Sequence, residues 1–276
     1  MRQVLFFLSL VAAACRPADR PPPQAPATRI VSLLPSFTEI LFAIGAGDRL
    51  VGRTTWCDYP PEARDVPSVG DGIPPNVEAV AARRPDLVVL YRSGANVTAA
   101  EQLERLGIRT VLLDLNLLED LGPAARRLGA LTGRTAAGDS LADAMDSVAF
   151  QSTHSPTANS QSLVFIVWDN PPIVIGAGSY LDRLAALAGA RNVFHDLSAP
   201  SVQVSIESIA ARNPDFVAIL SDAAAPPAWG ARREWHAVRA VREKRYLALP
   251  GSLFGRPGPR AREAVAELRR LLEAAR

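Results

Sequence analysis

The sequence predicts an α/β fold of two similar, Rossmann-like lobes with mostly parallel sheets, joined by a long α-helix, with a ligand cleft between the lobes. Three observations predict it. Short apolar runs alternate with helix-like segments, the pattern of βαβ units. A stretch from the first half recurs in the second, in the same order. Between the two copies lies a long helix-forming stretch.

The chain opens on MRQVLFFLSLVAAAC, residues 1–15. A basic Arg2, a short apolar run and small residues before Cys15 read as a secretory signal. The run is too short to span a bilayer. Ala12-Ala13-Ala14-Cys15 resembles a bacterial lipobox, so Cys15 is the expected lipidation site. Residues 16–28, RPADRPPPQAPAT, are too proline-rich for helix or central strand and read as an extended tether. With Cys15 lipidated or removed, Cys57 has no disulfide partner.

The N-terminal lobe is expected over residues 29–118. RIVSLLP reads as a buried strand ending in a turn, and Ser36 with Glu39 reads as a capping box for the helix that follows. RLVGRTT is a second strand, leading into the loop TTWCDYPP. Asn76 caps VEAVAARR, and Pro85 stops it. DLVVLY is a third strand ending at Tyr91. AAEQLERLG is a helix and RTVLLDL a strand. Residues 119–161 form the helical backbone and a polar linker, with a break expected at Thr132-Gly133. The second helical piece, Arg134 to Phe150, spans roughly 25 Å at about 1.5 Å per residue. The C-terminal lobe, residues 162–276, starts with LVFIVWD.

The repeat is specific. Glu78–Leu90 (EAVAARRPDLVVL) aligns without a gap on Glu207–Ile219 (ESIAARNPDFVAI). Phe42–Val51 (FAIGAGDRLV) resembles Leu184–Val193 (LAALAGARNV). One such match could follow from turn chemistry alone, but two in the same order indicate duplication. The period is too long for a solenoid.

Ligands of open α/β sheets bind beyond the carboxyl ends of the strands. The residues there are Pro35, Ser36 and Phe37 after the first strand, Trp56 and Cys57 after the second, and Tyr91 and Arg92 after the third. In the second lobe they are Trp168, Phe254 and Arg256. Aromatics are only 6% of the chain, yet they recur at these ends. Aromatic walls suit a large, rigid, partly apolar ligand.

Other chemistries find little support. A net charge of +2 is too small to imply a nucleic-acid partner. Cys57 has no spacing signature with His154, His195 or His236, and those histidines are too scattered for a zinc site. No phosphate-binding glycine loop opens a helix. The chain is therefore expected to be no enzyme and to carry no cofactor and no metal of its own. Axial ligation of a metal within a bound ligand by Cys57 or Tyr91 stays open.

Three segments together, RIVSLLPSFTEILFAIGAGDRLVGRTTWCDYPPEA, NVEAVAARRPDLVVL and GSLFGRPGPR, resemble the cobalamin-binding proteins of bacterial ABC importers. More broadly they resemble the helical-backbone substrate-binding proteins for cobalamin, haem and ferric siderophores. The resemblance runs from Arg29 to the C-terminus. It implies two α/β lobes on one long helix, and a monomer that captures cobalamin or a related corrinoid, with haem or a ferric siderophore as the alternative. By position, the family's ligand aromatics fall at Trp56, Tyr91, Ser201, near Trp168, and at Leu253-Phe254. Aromatic character is kept at Trp56, Tyr91 and Phe254 and lost at Ser201 and Leu253. The resemblance further implies that Glu78 and Glu207, one per lobe, dock on the two subunits of a permease dimer. The membrane is a partner through the N-terminal lipid.

Overall fold

The computed structural model describes residues 25–149, 160–223 and 225–275. The signal segment, Cys15, most of the proline-rich tether, and His154 with most of its linker lie outside the described residues.

The first lobe runs β1 (Ile30–Ser32), α1 (Pro35–Ala43), β2 (Leu50–Arg53), α2 (Val77–Ala82), β3 (Leu87–Tyr91), α3 (Gly94–Arg105) and β4 (Thr110–Leu113). Its four strands are all parallel, in the order β2-β1-β3-β4. Two helices follow, α4 (Leu121–Leu131) and α5 (Thr135–Ala149), and α5 leads towards the second lobe. The break falls at Thr132-Gly133 as expected. The two helices pack closely because glycines face each other: a Cβ on Gly129 would lie 2.9 Å from the Gly138 Cα.

The second lobe runs β5 (Ser162–Asp169), β6 (Pro172–Ile175), α6 (Tyr180–Leu187), β7 (Arg191–Asn192), β8 (Ser201–Gln203), α7 (Ile206–Arg212), β9 (Phe216–Leu220), α8 (Arg239–Arg242), β10 (Tyr246–Leu249), α9 (Gly251–Phe254) and α10 (Ala261–Ala274). Strands β7, β5, β9 and β10 are parallel neighbours in that order. This repeats the first lobe strand for strand. The second sheet differs by one addition, β6 and β8, which pair antiparallel beyond the upper half of β5. The repeat seen in the sequence is thus a repeat of topology.

Both faces of these sheets are covered, which is why the strands read as unbroken apolar runs. Alternate residues point to opposite sides. Ile30, Leu87, Val89, Leu163, Phe165, Phe216 and Leu247 join one core, shared with α1, α4, α5, α6 and α10. Val31, Val88 and Leu90 face a separate cluster in the first lobe, and Val164, Val217 and Ile219 face another in the second. The shared core ties the lobes together and opposes a wide hinge motion.

The repeated Pro-Asp turn does the same work twice. Arg84 and Asn213, which align, both take left-handed backbone angles (φ 50° and 45°) that end their helices. Asp86 Oδ2 accepts hydrogen bonds from the Thr28 backbone N–H (2.9 Å) and hydroxyl (2.8 Å) at the entry to β1. Asp215 Oδ2 accepts the same pair from Ser162, at 2.9 and 2.7 Å, at the entry to β5. Burial pushes each carboxyl up, but these hydrogen bonds outweigh it and hold both below the usual aspartate range. A depressed carboxyl contributes stability that is present above its unfolded pKa, about 3.9, and lost as pH falls through the folded value. Asp86→Asn and Asp215→Asn should each cost about 1–2 kcal/mol at neutral pH. The deficit should shrink below about pH 4, where the wild type loses the same contribution. Denaturant titrations at several pH values check this; a deficit that is constant with pH would contradict it.

Candidate ligand-binding site

The carboxyl ends of the two sheets face each other across a seam, and an ionic cluster marks it. Glu39, on α1 just beyond β1, is buried, with its side chain 3% exposed. Its Oε1 accepts from Arg256 Nε at 2.9 Å, and its two oxygens accept from Arg260 at 3.1 Å each. Both arginines follow β10 in the second lobe. Arg256 also pairs with Asp58, in the loop after β2. Burial works against the Arg256 charge, but the Asp58 hydrogen bond and the field of Glu39 outweigh it and raise its pKa further. Residues that follow β1 and β2 therefore meet residues that follow β10.

Two large aromatics stand exposed at these strand ends. Trp56, after β2, is 67% exposed and donates its indole N–H to Asp71 Oδ1 at 3.0 Å. Trp168, near the end of β5, is 59% exposed and donates to the Asn170 carbonyl at 2.9 Å. An unburied tryptophan held by its N–H presents its ring face to whatever enters. Tyr91, half-buried at the end of β3, donates its hydroxyl to Asn116 Oδ1 at 2.6 Å. Pro35 is half-buried at the start of α1. Arg92 is exposed, but its guanidinium serves Asp114 (3.1 Å) and the Leu112 carbonyl (2.9 Å) in its own lobe. On the second lobe a recess of about 260 Å³ is lined by Trp168, Asp169, Leu220, Pro227 and Trp229, among others.

Several sequence expectations are corrected. Ser36 does not cap α1: Leu34 is its N-cap, Pro35 occupies the first turn, and no side chain caps it. Glu39 is no capping-box partner, because both its oxygens are taken by the arginines. Ser36, Phe37 and Phe254 are fully buried and present no surface to a ligand. Phe254 is turned inward by α9, and its carbonyl accepts the Tyr180 hydroxyl. Cys57 is also fully buried, its Sγ 3.1 Å from the hydroxyls of Thr38 and Thr54. That burial leaves it no path to a bound metal. Arg256, expected on the ligand, is 15% exposed and spans the two lobes. Among the described residues, no cluster of His, Cys, Asp and Glu could hold a metal. No described helix is long and apolar enough to cross a membrane.

Glu78 and Glu207 take equivalent places in the two lobes. Each is exposed in the first turn of a short helix. The Asn76 side chain accepts from the Ala79 N–H (2.9 Å), and Ser205 accepts from the Ser208 N–H (3.2 Å). The backbone N–H of Glu207 and the Ser205 hydroxyl lower the pKa of Glu207.

Comparison with known proteins matches residues 30–253 to a family described as periplasmic binding protein. The vitamin B12-binding protein of Pectobacterium carotovorum is 31% identical over 194 residues, 69% of this chain and 70% of that one. An uncharacterized ABC transporter substrate-binding lipoprotein of Bacillus subtilis, YvrC, is 32% identical over 248 residues, 87% of this chain and 78% of that one. The crystal structure of the periplasmic vitamin B12-binding protein BtuF of Vibrio cholerae superposes with a TM-score of 0.73. It is 27% identical and covers 91% of this chain and 98% of that one.

Proposed function

Because the chain belongs to the periplasmic binding protein family, we propose that it is the extracytoplasmic substrate-binding protein of an ABC importer, capturing cobalamin or a related corrinoid. The observation that carries this is the pair of exposed tryptophans, one on each lobe: Trp56 in the loop after β2 and Trp168 near the carboxyl end of β5. A corrin ring is large, flat and partly apolar, and two indole faces bury such a surface at low entropic cost. Tyr91 continues the wall on the first lobe, with Pro35 and Arg92 at its rim. The relatives named as vitamin B12-binding proteins support the same ligand. Cys15 carries the lipid that keeps the protein at the membrane, and Glu78 and Glu207 present it to the permease. The protein works as a monomer, catalyses no reaction, and captures and delivers its ligand.

Titration calorimetry with cyanocobalamin, together with colour retained on the purified protein after desalting, tests the reading. Trp56→Ala should weaken binding by about 1–3 kcal/mol, the scale of aromatic stacking contacts. Neither heat nor retained colour would make cobalamin the wrong ligand. Retention of haemin or a ferric siderophore instead would move the assignment to that ligand.

A further inference from the structure

The loop that carries Trp56 belongs to the first lobe, yet three of its residues are held by the second. Arg256 donates to the Asp58 carboxylate and, at 3.4 Å, to the Trp56 carbonyl. The Arg260 guanidinium lies over the Tyr59 ring, 3.8 Å from its centroid. Both arginines are only 14–15% exposed. Glu39 fixes their direction from below, and the Ser252 carbonyl accepts from Arg260 as well. The spacer between them, Pro257-Gly258-Pro259, is stiff. Its glycine also makes room for Glu39, whose Oε2 would lie 3.2 Å from a Cβ there.

We infer that Arg256 and Arg260 are positioning residues: reaching across the seam, they hold the Trp56–Tyr59 segment and so set where the Trp56 ring stands. Within its own lobe the segment is tied by the buried Cys57, whose Sγ meets the Thr38 and Thr54 hydroxyls at 3.1 Å and whose N–H donates to the Thr54 carbonyl (3.2 Å), and by the Trp56 indole to Asp71 (3.0 Å). Those bonds fix its base and one ring edge. The bonds at Trp56, Asp58 and Tyr59 come from the other lobe, so separating the lobes must release them together. Opening the seam therefore loosens the backbone beneath the indole, leaving the ring held by Asp71 alone, and closing it sets the indole again. This link to ligand capture and release rests on Trp56 being the ligand platform; the strut itself does not.

Hydrogen–deuterium exchange on the ligand-free protein tests the strut directly. In Arg256→Gln and Arg260→Gln, the hydrogen-bonded amides within residues 55–59, those of Thr55 and Cys57, should exchange at least tenfold faster, with β2 and β3 unchanged. Asp58→Asn removes the Arg256 ion pair from a half-buried position and leaves Glu39 with both arginines. It should speed the same amides without lowering the melting temperature by more than a few degrees. Unchanged exchange at 55–59 in Asp58→Asn and Arg256→Gln would overturn the inference. So would an increase shared equally by β2 and β3. Cobalamin titration of the wild type runs alongside: failure there overturns the ligand reading and leaves the strut standing.

Discussion

Glu78→Lys combined with Glu207→Lys is expected to abolish transport stimulated by this protein while leaving cobalamin affinity unchanged. The two carboxylates sit at equivalent, exposed positions, one per lobe, each on a short helix anchored by its cap. A two-lobed protein with matching charges is complementary to a transporter with twofold symmetry. On the docking proposal, each reversal would replace an attraction with a like-charge contact, which costs several kcal/mol at an interface. Either reversal alone should therefore weaken docking strongly, and both together should remove it. Neither glutamate packs into the core, so folding should be unaffected. Uptake into vesicles carrying the permease is the measurement, with calorimetry and melting temperature as controls. Wild-type uptake should also fall as salt rises, since exposed charges are screened beyond about 10 Å at 0.1 M. Transport that survives the double reversal would refute the docking role, and lost ligand affinity would place the glutamates at the ligand site.

Much of the fold was legible because its causes are local. Strands covered on both faces need runs of consecutive apolar residues, and β3, β9 and the middle of β5 show it. The Pro-Asp turn is set by residues within a few positions of it, so both copies could be read. The antiparallel pair β6 and β8 leaves little signal in the sequence: β6 is short and β8 is mostly polar at the sheet edge. At the site, the sequence named the residue types at strand ends but not their directions. Trp56 and Trp168 point out, whereas Phe37 and Phe254, equally near strand ends, fill the core. Direction depends on what packs behind a residue, and that comes from elsewhere in the chain. The sharpest case is Glu39. Three residues after Ser36 it imitates a capping box, while its real partners lie 217 and 221 positions away. Nothing around Glu39 announces them. A signal did exist at the other end, where Arg256 and Arg260 flank a stiff Pro-Gly-Pro spacer that keeps two cations together, a pairing that calls for a buried anion.

Glu39→Ala should be the most destabilising substitution in the seam, by about 3–5 kcal/mol, the usual cost of removing one member of a buried ion cluster. The loss is not the value of the attraction itself. It arises because two guanidinium groups, 15% and 14% exposed, would be left charged, poorly solvated and without their shared acceptor. Arginine cannot escape by losing its proton at any ordinary pH. Asp58 would still serve Arg256 and the Ser252 carbonyl would still serve Arg260, which keeps the cost within this range. Against a total stability of roughly 5–15 kcal/mol the change is large, and a melting temperature lowered by on the order of 10 °C would report it. The control reverses the sign: replacing Glu39, Arg256 and Arg260 together by apolar residues of similar volume removes every stranded charge. Most of the lost stability should then return, because such clusters are often no more stable than the apolar packing that replaces them. The triple variant should also lose its hold on the Trp56–Tyr59 segment, because the strut across the seam is gone. Recovered stability with a freed loop would separate the two roles of the cluster. A single Glu39→Ala variant with wild-type stability would show instead that water already solvates both arginines.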